Sequence, residues 1–343
     1  MAGAQIQPIL VVGAGELGTA VLEALAAHPR RNHHHHSGDA ENPATATATA
    51  AAAGPQIQRP LSVLLRASTI ASTDAAKRAA NEHLRADLGV ALEPGDVVAD
   101  PEASLAAVFR RFHTVVVCAG MGLPAGTQLK IARAAVLGAR GGVARFVPWQ
   151  WGIDYDVVGA GSAQDLFDEQ LAVRALLRSS DAAATTSWTI VSVGLFMSFL
   201  FHPGFGVVDL GARTVRALGS WDTPVTVTAV RDIGRVAAEV VCDPGPSTSG
   251  VVYAGGDTVT YGRVAELVEA RFPRQEWRRE EWTLEVLRRR LEESPADAMV
   301  KYQNVFGAGR GVAWDLADTI NRRRGLEMTT VEMYLAQMED LEA

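Results

Sequence analysis

Lysine is nearly absent from this chain of 343 residues: of its 32 basic residues only Lys77, Lys130 and Lys301 are lysines. Chemistry that needs an amine is confined to those three positions. Cysteine is scarcer still, and Cys118 and Cys242 supply neither a disulfide framework nor the spacing of a metal site. Cys118 closes the apolar run Val115–Val117 and reads as a small packed hydrophobe. Long hydrophobic runs are missing too. The stretch from Leu195 to Phe201 is short and stops at His202-Pro203-Gly204, so no membrane span is expected. No basic segment followed by an apolar one opens the chain, and the expectation is a cytoplasmic protein. Excess positive charge is lacking as well: a net charge of −7 argues against a dedicated nucleic-acid binder.

Apolar residues make up 48% of the chain, enough to bury a full core in one large domain or two smaller ones. Ile9–Val12 is a continuous apolar run suited to a strand buried on both faces, followed by "GAGELG" and the helical pattern "TAVLEALAAH". Residues 61–69, 90–100, 113–120 and 143–149 read as four further strands. Helical patterns follow each of the first three, and "AQDLFDEQLAVRALLRSS" and "SWTIVSVGLF" add another helix and a sixth strand. This alternation predicts an α/β fold of Rossmann type, a doubly wound parallel sheet with right-handed crossovers. The looser pattern beyond residue 200 predicts a smaller C-terminal α/β substrate lobe. Residues 1–160 are assigned to the dinucleotide-binding domain, and 161–343 to its remaining elements and the lobe. Residues 29–60, rich in histidine, alanine and threonine and bounded by prolines, read as a low-complexity surface insertion of coil. His33 to His36 lack acidic or cysteine partners at fixed spacing, so solvated coil is expected rather than a metal site.

Gly13, Gly15 and Gly18 stand between a buried strand and a helix, the context that a G-x-G-x-x-G phosphate cradle requires. The three glycines allow a tight turn, close backbone approach and close helix packing. Glu16 and Leu17 open the helix, whose tip offers free N–H groups to a diphosphate. A tight turn without ligand is the bland alternative. The second strand ends in Arg66 rather than in a carboxylate. A guanidinium there suits the 2′-phosphate of NADP(H), unless Arg66 is merely a solvated strand end. Ala119, Gly120 and Met121, in "CAGMG" after the fourth strand, are expected along the cofactor's path, with Pro148 and Trp149 after the fifth.

The segment "RFVPWQWGIDYD", residues 145–156, therefore falls where a substrate should meet the nicotinamide. Gln150 and Trp151, with Phe196, Phe199 and His202 from the later "LFMSFLFH", are the candidate substrate contacts. Trp149, Met197, Phe201 and Phe205 belong to the same aromatic and apolar set, part of which must fill the core. Such a wall suits a hydrophobic, flat small molecule. Tyr155 is the candidate proton donor, since a phenol can protonate an oxyanion forming beside it, and Asp154 could orient it. A packed aromatic and a turn cap are the alternatives.

The glycine motif, Arg66, Gln128 with "ARAAVLGA", "RFVPWQWG" and the helix beginning near Ser162 resemble the NmrA-like, isoflavone reductase-type atypical short-chain dehydrogenases. "SAQDLFDEQLAVRALL" and "VFGAGRGVAWD" resemble most closely the fungal CipA-type branch. In this family an F-x-P-S-E-F-G segment follows the fifth strand, where this chain has Phe146 to Gly152. The resemblance implies NADPH-dependent reduction of an aromatic or enone-like molecule, in fungal secondary metabolism, by a monomer or homodimer. Plant members carry a lysine in an A-K-x-x-F setting that acts in proton transfer. With one residue deleted before it, Gln164 takes that position here, and a neutral amide cannot titrate. The Y-x-x-x-K pair of classical short-chain dehydrogenases is also missing, as Tyr155 is followed by Gly159. Two readings stay open: a reductase in which Tyr155, Gln164 and Asp154 serve the reaction, or a cofactor-assisted isomerase of the same site; and a dinucleotide-sensing regulator of the NmrA kind.

Overall fold

In the computed structural model, residues 5–34, 56–139, 143–179, 182, 185–244 and 249–339 are described. Seven strands form the main sheet: β1 (Ile9–Val12), β2 (Leu61–Leu65), β3 (Ala91–Pro94), β4 (Thr114–Val117), β5 (Arg145–Val147), β6 (Ser187–Ser192) and β7 (Gly250–Tyr253). Their spatial order is β7-β6-β5-β4-β1-β2-β3 and every pairing is parallel. The order reverses between β1 and β4, which opens a crevice beyond their carboxyl ends.

Alternate residues of β1 serve two cores. Ile9 and Val11 pack under α1 (Glu16–Ala27) and the helix Val230–Cys242, while Leu10 and Val12 pack under Glu102–Phe109, Thr127–Ala139 and Leu166–Arg178. A strand buried on both faces must be apolar at every position, which is why Ile9–Val12 is legible as a run. Gly234 lets its helix close on α1, because a Cβ there would stand 2.4 Å from the Ala20 carbonyl oxygen.

A third core lies in the C-terminal lobe. There Leu195–Phe196, Pro224–Thr228 and Asp257–Thr260 form one small sheet, and Val208–Asp209, Thr214–Leu218 and Arg278–Trp282 another. Tyr155 and Phe167 are members of this third core, so the loop after β5 and the following helix join the sheet to the lobe.

Three sequence expectations change. Residues 29–60 are not coil at their ends: Asn32–His34 pairs antiparallel with Gln56–Gln58, and Gln5–Ile6 pairs parallel with the latter. Ile57 is buried, and Arg31 and Arg59 clasp the base by donating to the carbonyls of Arg59 and Arg30. His35 and His36 lie outside the described residues. The second strand stops at Leu65, and Ala67–Ile70 makes a helical turn with Arg66 at its N-cap. The seventh strand, Gly250–Tyr253, was hidden in the loose C-terminal pattern and pairs with β6. Among the described residues no helix is long and apolar enough to cross a membrane.

Candidate active site

Gly13 adopts φ +92°, a conformation that side chains rarely tolerate, and turns the chain from β1 towards α1. A Cβ on Gly13 would lie 2.8 Å from the Ala119 Cβ, and one on Gly18 would lie 2.0 Å from the Gly13 carbonyl oxygen. At Gly15, by contrast, a Cβ would meet nothing within 4 Å. Gly15 is the N-cap of α1 and brings no capping side chain. The first helical bond runs from the Thr19 amide to the Gly15 carbonyl, so the amides of Glu16, Leu17 and Gly18 have no acceptor within the helix. Two crowded glycines shape the turn, the third leaves space, and the three amides at the helix tip have no acceptor among the described residues. A diphosphate fits these residues.

Arg66 lies at the carboxyl end of β2, exposed; its carbonyl accepts from the amides of Thr69 and Ile70, while its guanidinium makes no hydrogen bond among the described residues. It lines a shallow hollow of about 400 Å³ with Ser68, Gly95 and Asp96. The Asp96 carboxylate is engaged by the amides of Val98 and Ala99 at 2.8 and 3.1 Å. Those bonds hold its pKa low, with a smaller contribution from Arg66. The guanidinium remains available to a phosphate.

Between the cradle and the lobe lies a cavity of about 220 Å³. Glu16, Leu17, Cys118 and Met121 bring the cradle side to it, and Trp149, Trp151, Phe196 and Phe199 form aromatic walls. Tyr155, Phe167, Tyr302 and Phe306 complete the lining on the lobe side. Trp151 is fixed by its indole N–H, which donates to the Val117 carbonyl at 2.8 Å.

Tyr155 is 4% exposed, packs on Phe167 with ring centroids 4.9 Å apart, and brings its hydroxyl over Gly152. That hydroxyl has no hydrogen-bond partner among the described residues. Burial pushes its pKa well up, so the phenol stays protonated. Behind its ring, 5.2 Å from the centroid, sits the fully buried guanidinium of Arg174. Arg174 donates to Gln150 Oε1 at 2.7 Å and to Asp156 Oδ2 at 2.6 Å. Arg178 adds a bidentate pair to Asp156, and the Tyr253 hydroxyl donates to Asp154 at 2.7 Å.

Several predicted residues are thus placed elsewhere than the cavity wall. Gln150 is wholly buried and donates to the Gln170 carbonyl. Asp154 caps the Asp156 amide and accepts from Tyr253. Gln164 donates to the Ala298 carbonyl at 3.3 Å. His202 stacks on Phe199 at 5.5 Å on the exposed side. Of the wider aromatic set, Met197 and Phe205 are fully buried core and Phe201 stacks on Tyr334. Ala119 and Pro148 take part through their carbonyls, which accept from the Gln128 side chain and the Gln150 amide. Gly120 provides the floor under Trp149. Cys118 lines the cavity as well as packing, with a thiol that burial keeps protonated. Sequence reasoning missed Tyr302, Phe306 and Arg174. The spacing of Tyr302 and Phe306, four residues apart on the helix Ala298–Gly307, was the one available signal for the first two.

A glycine turn at the sheet's reversal point, continuous with an apolar cavity, defines a Rossmann-type α/β protein with room for a small molecule. The profile of the NmrA-like family matches residues 44–335. An "NmrA-like family domain-containing oxidoreductase" of Gibberella moniliformis is 46% identical over 327 residues, covering 95% of this chain and 96% of the other. The chain belongs to the NmrA-like family. Its fold is similar to that of an isoflavone reductase, with a TM-score of 0.71 and 19% identity over 97% of this chain and 99% of that one. It is similar too to a leucoanthocyanidin reductase from Vitis vinifera in binary complex with NADPH, with a TM-score of 0.70, 16% identity and coverage of 96% and 98%.

Proposed function

We propose that this chain is an NADP(H)-dependent oxidoreductase acting on a flat, hydrophobic aromatic or enone-like small molecule. The observation that carries the reading is continuity: Glu16 and Leu17 of the glycine cradle line the same cavity as Tyr155 and the aromatic walls. The amides of Glu16 to Gly18 would hold the diphosphate, and Arg66 the 2′-phosphate. When bound, the nicotinamide would supply the hydride. Trp149, Trp151, Phe196 and Phe199 orient a planar ring and exclude water from it. Tyr155 holds a proton at its phenolic oxygen, unshared with any acceptor among the described residues, where it is free to meet a substrate oxygen. The relative's description as an oxidoreductase supports the assignment.

One observation favours a second reading. Gln164, at the family's lysine position, is tied to the Ala298 carbonyl, and no lysine lines the cavity among the described residues. A dinucleotide sensor of the NmrA kind needs no proton donor at that position. Calorimetry with NADPH and NADH, followed by NADPH oxidation assays against a panel of aromatic ketones and enones, separates the two. Tight NADPH binding with turnover on any panel member supports the reductase. Tight binding with no turnover across the panel favours the sensor, and no binding of either dinucleotide overturns both.

A further inference from the structure

Two phenols line the cavity. Tyr155 approaches from the short helix Tyr155–Val158 that follows β5, and Tyr302 from the helix Ala298–Gly307 of the lobe. They flank Phe167, whose ring centroid lies 4.9 Å from that of Tyr155 and 5.8 Å from that of Tyr302. Both rings therefore pack on the same phenylalanine at the cavity wall. Neither hydroxyl has a hydrogen bond among the described residues. The Tyr253 hydroxyl, outside the cavity lining, does find a carboxylate. Tyr261 also lacks a partner, but it is sealed in the lobe's core and does not line the cavity.

The rest of the lining narrows what these hydroxyls await. Apart from Glu16 and Cys118 of the cradle side, the cavity's other side chains are apolar or indole. Among the described residues no cation lines it, so a carboxylate or phosphate ligand would be buried without a counter-charge. A plain hydrocarbon would leave both hydroxyls dry and unpaired. A carbonyl oxygen has two lone pairs and accepts from two donors. Burial pushes the Tyr302 phenol up to about 12, and Tyr155 higher still, so both remain donors at any working pH.

We propose that Tyr155 and Tyr302 form a paired-donor clamp that binds one carbonyl oxygen of a planar aromatic ketone or enone, each hydroxyl donating to one lone pair. The clamp rests on the aromatic-cavity reading above and adds Tyr302 as the residue that selects for an oxygenated ligand. It also ties the ligand to both halves of the molecule, because the two donors come from the sheet loop and the lobe helix.

The test uses the full-length protein and a matched pair of probes, 9-fluorenone and fluorene, which share a planar ring system and differ by the carbonyl oxygen. Binding is read by quenching of tryptophan fluorescence, since Trp149 and Trp151 line the cavity. The wild-type protein is expected to prefer fluorenone by at least ~10-fold, two hydrogen bonds' worth. Tyr155→Phe and Tyr302→Phe should each reduce that preference ~3–10-fold, and the double variant should erase it. Fluorene affinity should stay within about twofold throughout, showing that the cavity itself is intact. The carbonyl stretch of bound fluorenone should shift to lower frequency in the wild-type protein and recover partly in each single variant. Equal wild-type affinities for the two probes, or an unshifted carbonyl stretch, would overturn the clamp while leaving the aromatic cavity standing. Binding of neither probe would remove the clamp and the cavity reading together. The wild-type comparison and the carbonyl stretch decide the matter even if a phenylalanine variant fails to fold.

Discussion

The indole of Trp149 lies directly across the backbone of Gly120: a Cβ on that glycine would stand 1.9 Å from the ring carbons Cδ2 and Cε2. Strand β4's exit loop is thereby the floor on which the cavity's aromatic wall rests. Even the smallest side chain at Gly120 must push the indole away. Gly120→Ala should weaken binding of planar aromatic ligands by about tenfold, roughly 1.4 kcal/mol. It should also shift tryptophan emission as Trp149 moves into a wetter setting. Unchanged emission and unchanged aromatic binding would show that Trp149 does not form the wall.

The cradle makes an equally direct demand at Gly18, where a Cβ would press on the Gly13 carbonyl oxygen at 2.0 Å. Relief requires α1 to move off β1. Gly18→Ala is expected to cost about 1–3 kcal/mol in urea unfolding, the usual range for overpacking. It should abolish dinucleotide binding measured by calorimetry. Gly15→Ala is the informative contrast. Its Cβ would meet nothing within 4 Å among the described residues, so stability should hold while dinucleotide affinity falls.

The role proposed for Arg66 is narrower than that of the cradle. If its guanidinium pairs with the 2′-phosphate, NADPH should bind at least about tenfold more tightly than NADH. Arg66→Ala should erase that gap while leaving NADH affinity alone. Equal affinities in the wild-type protein would refute the assignment, and Asp96, close by in the same hollow, would then be the residue to examine.

Tyr155→Phe separates proton supply from packing. The ring keeps its place on Phe167 and under Arg174, and only the hydroxyl is lost. Turnover on an accepted substrate should drop about 10²-fold or more, the lower range for a general acid, with NADPH affinity intact. Full activity in this variant would leave Tyr155 a structural aromatic.

Acid sensitivity should concentrate in the loop after β5. The Asp156 carboxyl is held down to about 2 by its bonds to Arg178 and then Arg174, against the opposing effect of burial. Its folded-state pKa is lower than the ordinary value of 3.8, so its stabilisation is complete above that value. It is lost as pH falls towards about 2. Asp156→Asn should lower stability at pH 7 by about 2 kcal/mol, because buried Arg174 loses its shortest carboxylate contact. Solvent at the Arg178 side screens the remainder. The same variant should show a shallower loss of stability in urea titrations between about pH 4 and pH 2. An acid limb identical to wild type would mean that Asp156 does not couple to folding.

Patterns carried by neighbours along the chain were readable before any coordinates. Ile9–Val12 had to be a doubly buried strand, and Gly13, Gly15 and Gly18 had to sit in a strand-to-helix turn, because backbone sterics and burial act over a few residues. Six strands of the parallel sheet and the aromatic character of the 145–156 loop followed from the same local rules. The seventh strand did not. Gly250–Tyr253 is half-buried at the sheet's edge and lacks the continuous apolar run that marked the others.

Side-chain direction and long-range company were settled only by packing. Gln150 and Trp151 are adjacent in the chain, yet one turns to Arg174 and Gln170 in a buried polar cluster while the other lines the cavity. Gln164 occupies a position that the family resemblance marks as catalytic, but its amide is spent on a carbonyl of the C-terminal lobe. Tyr302 meets Phe167 and lines the same cavity as Tyr155, a meeting no spacing in the sequence announces. Local sterics choose the element, whereas which way a side chain faces depends on which distant surface the folded chain has brought opposite it.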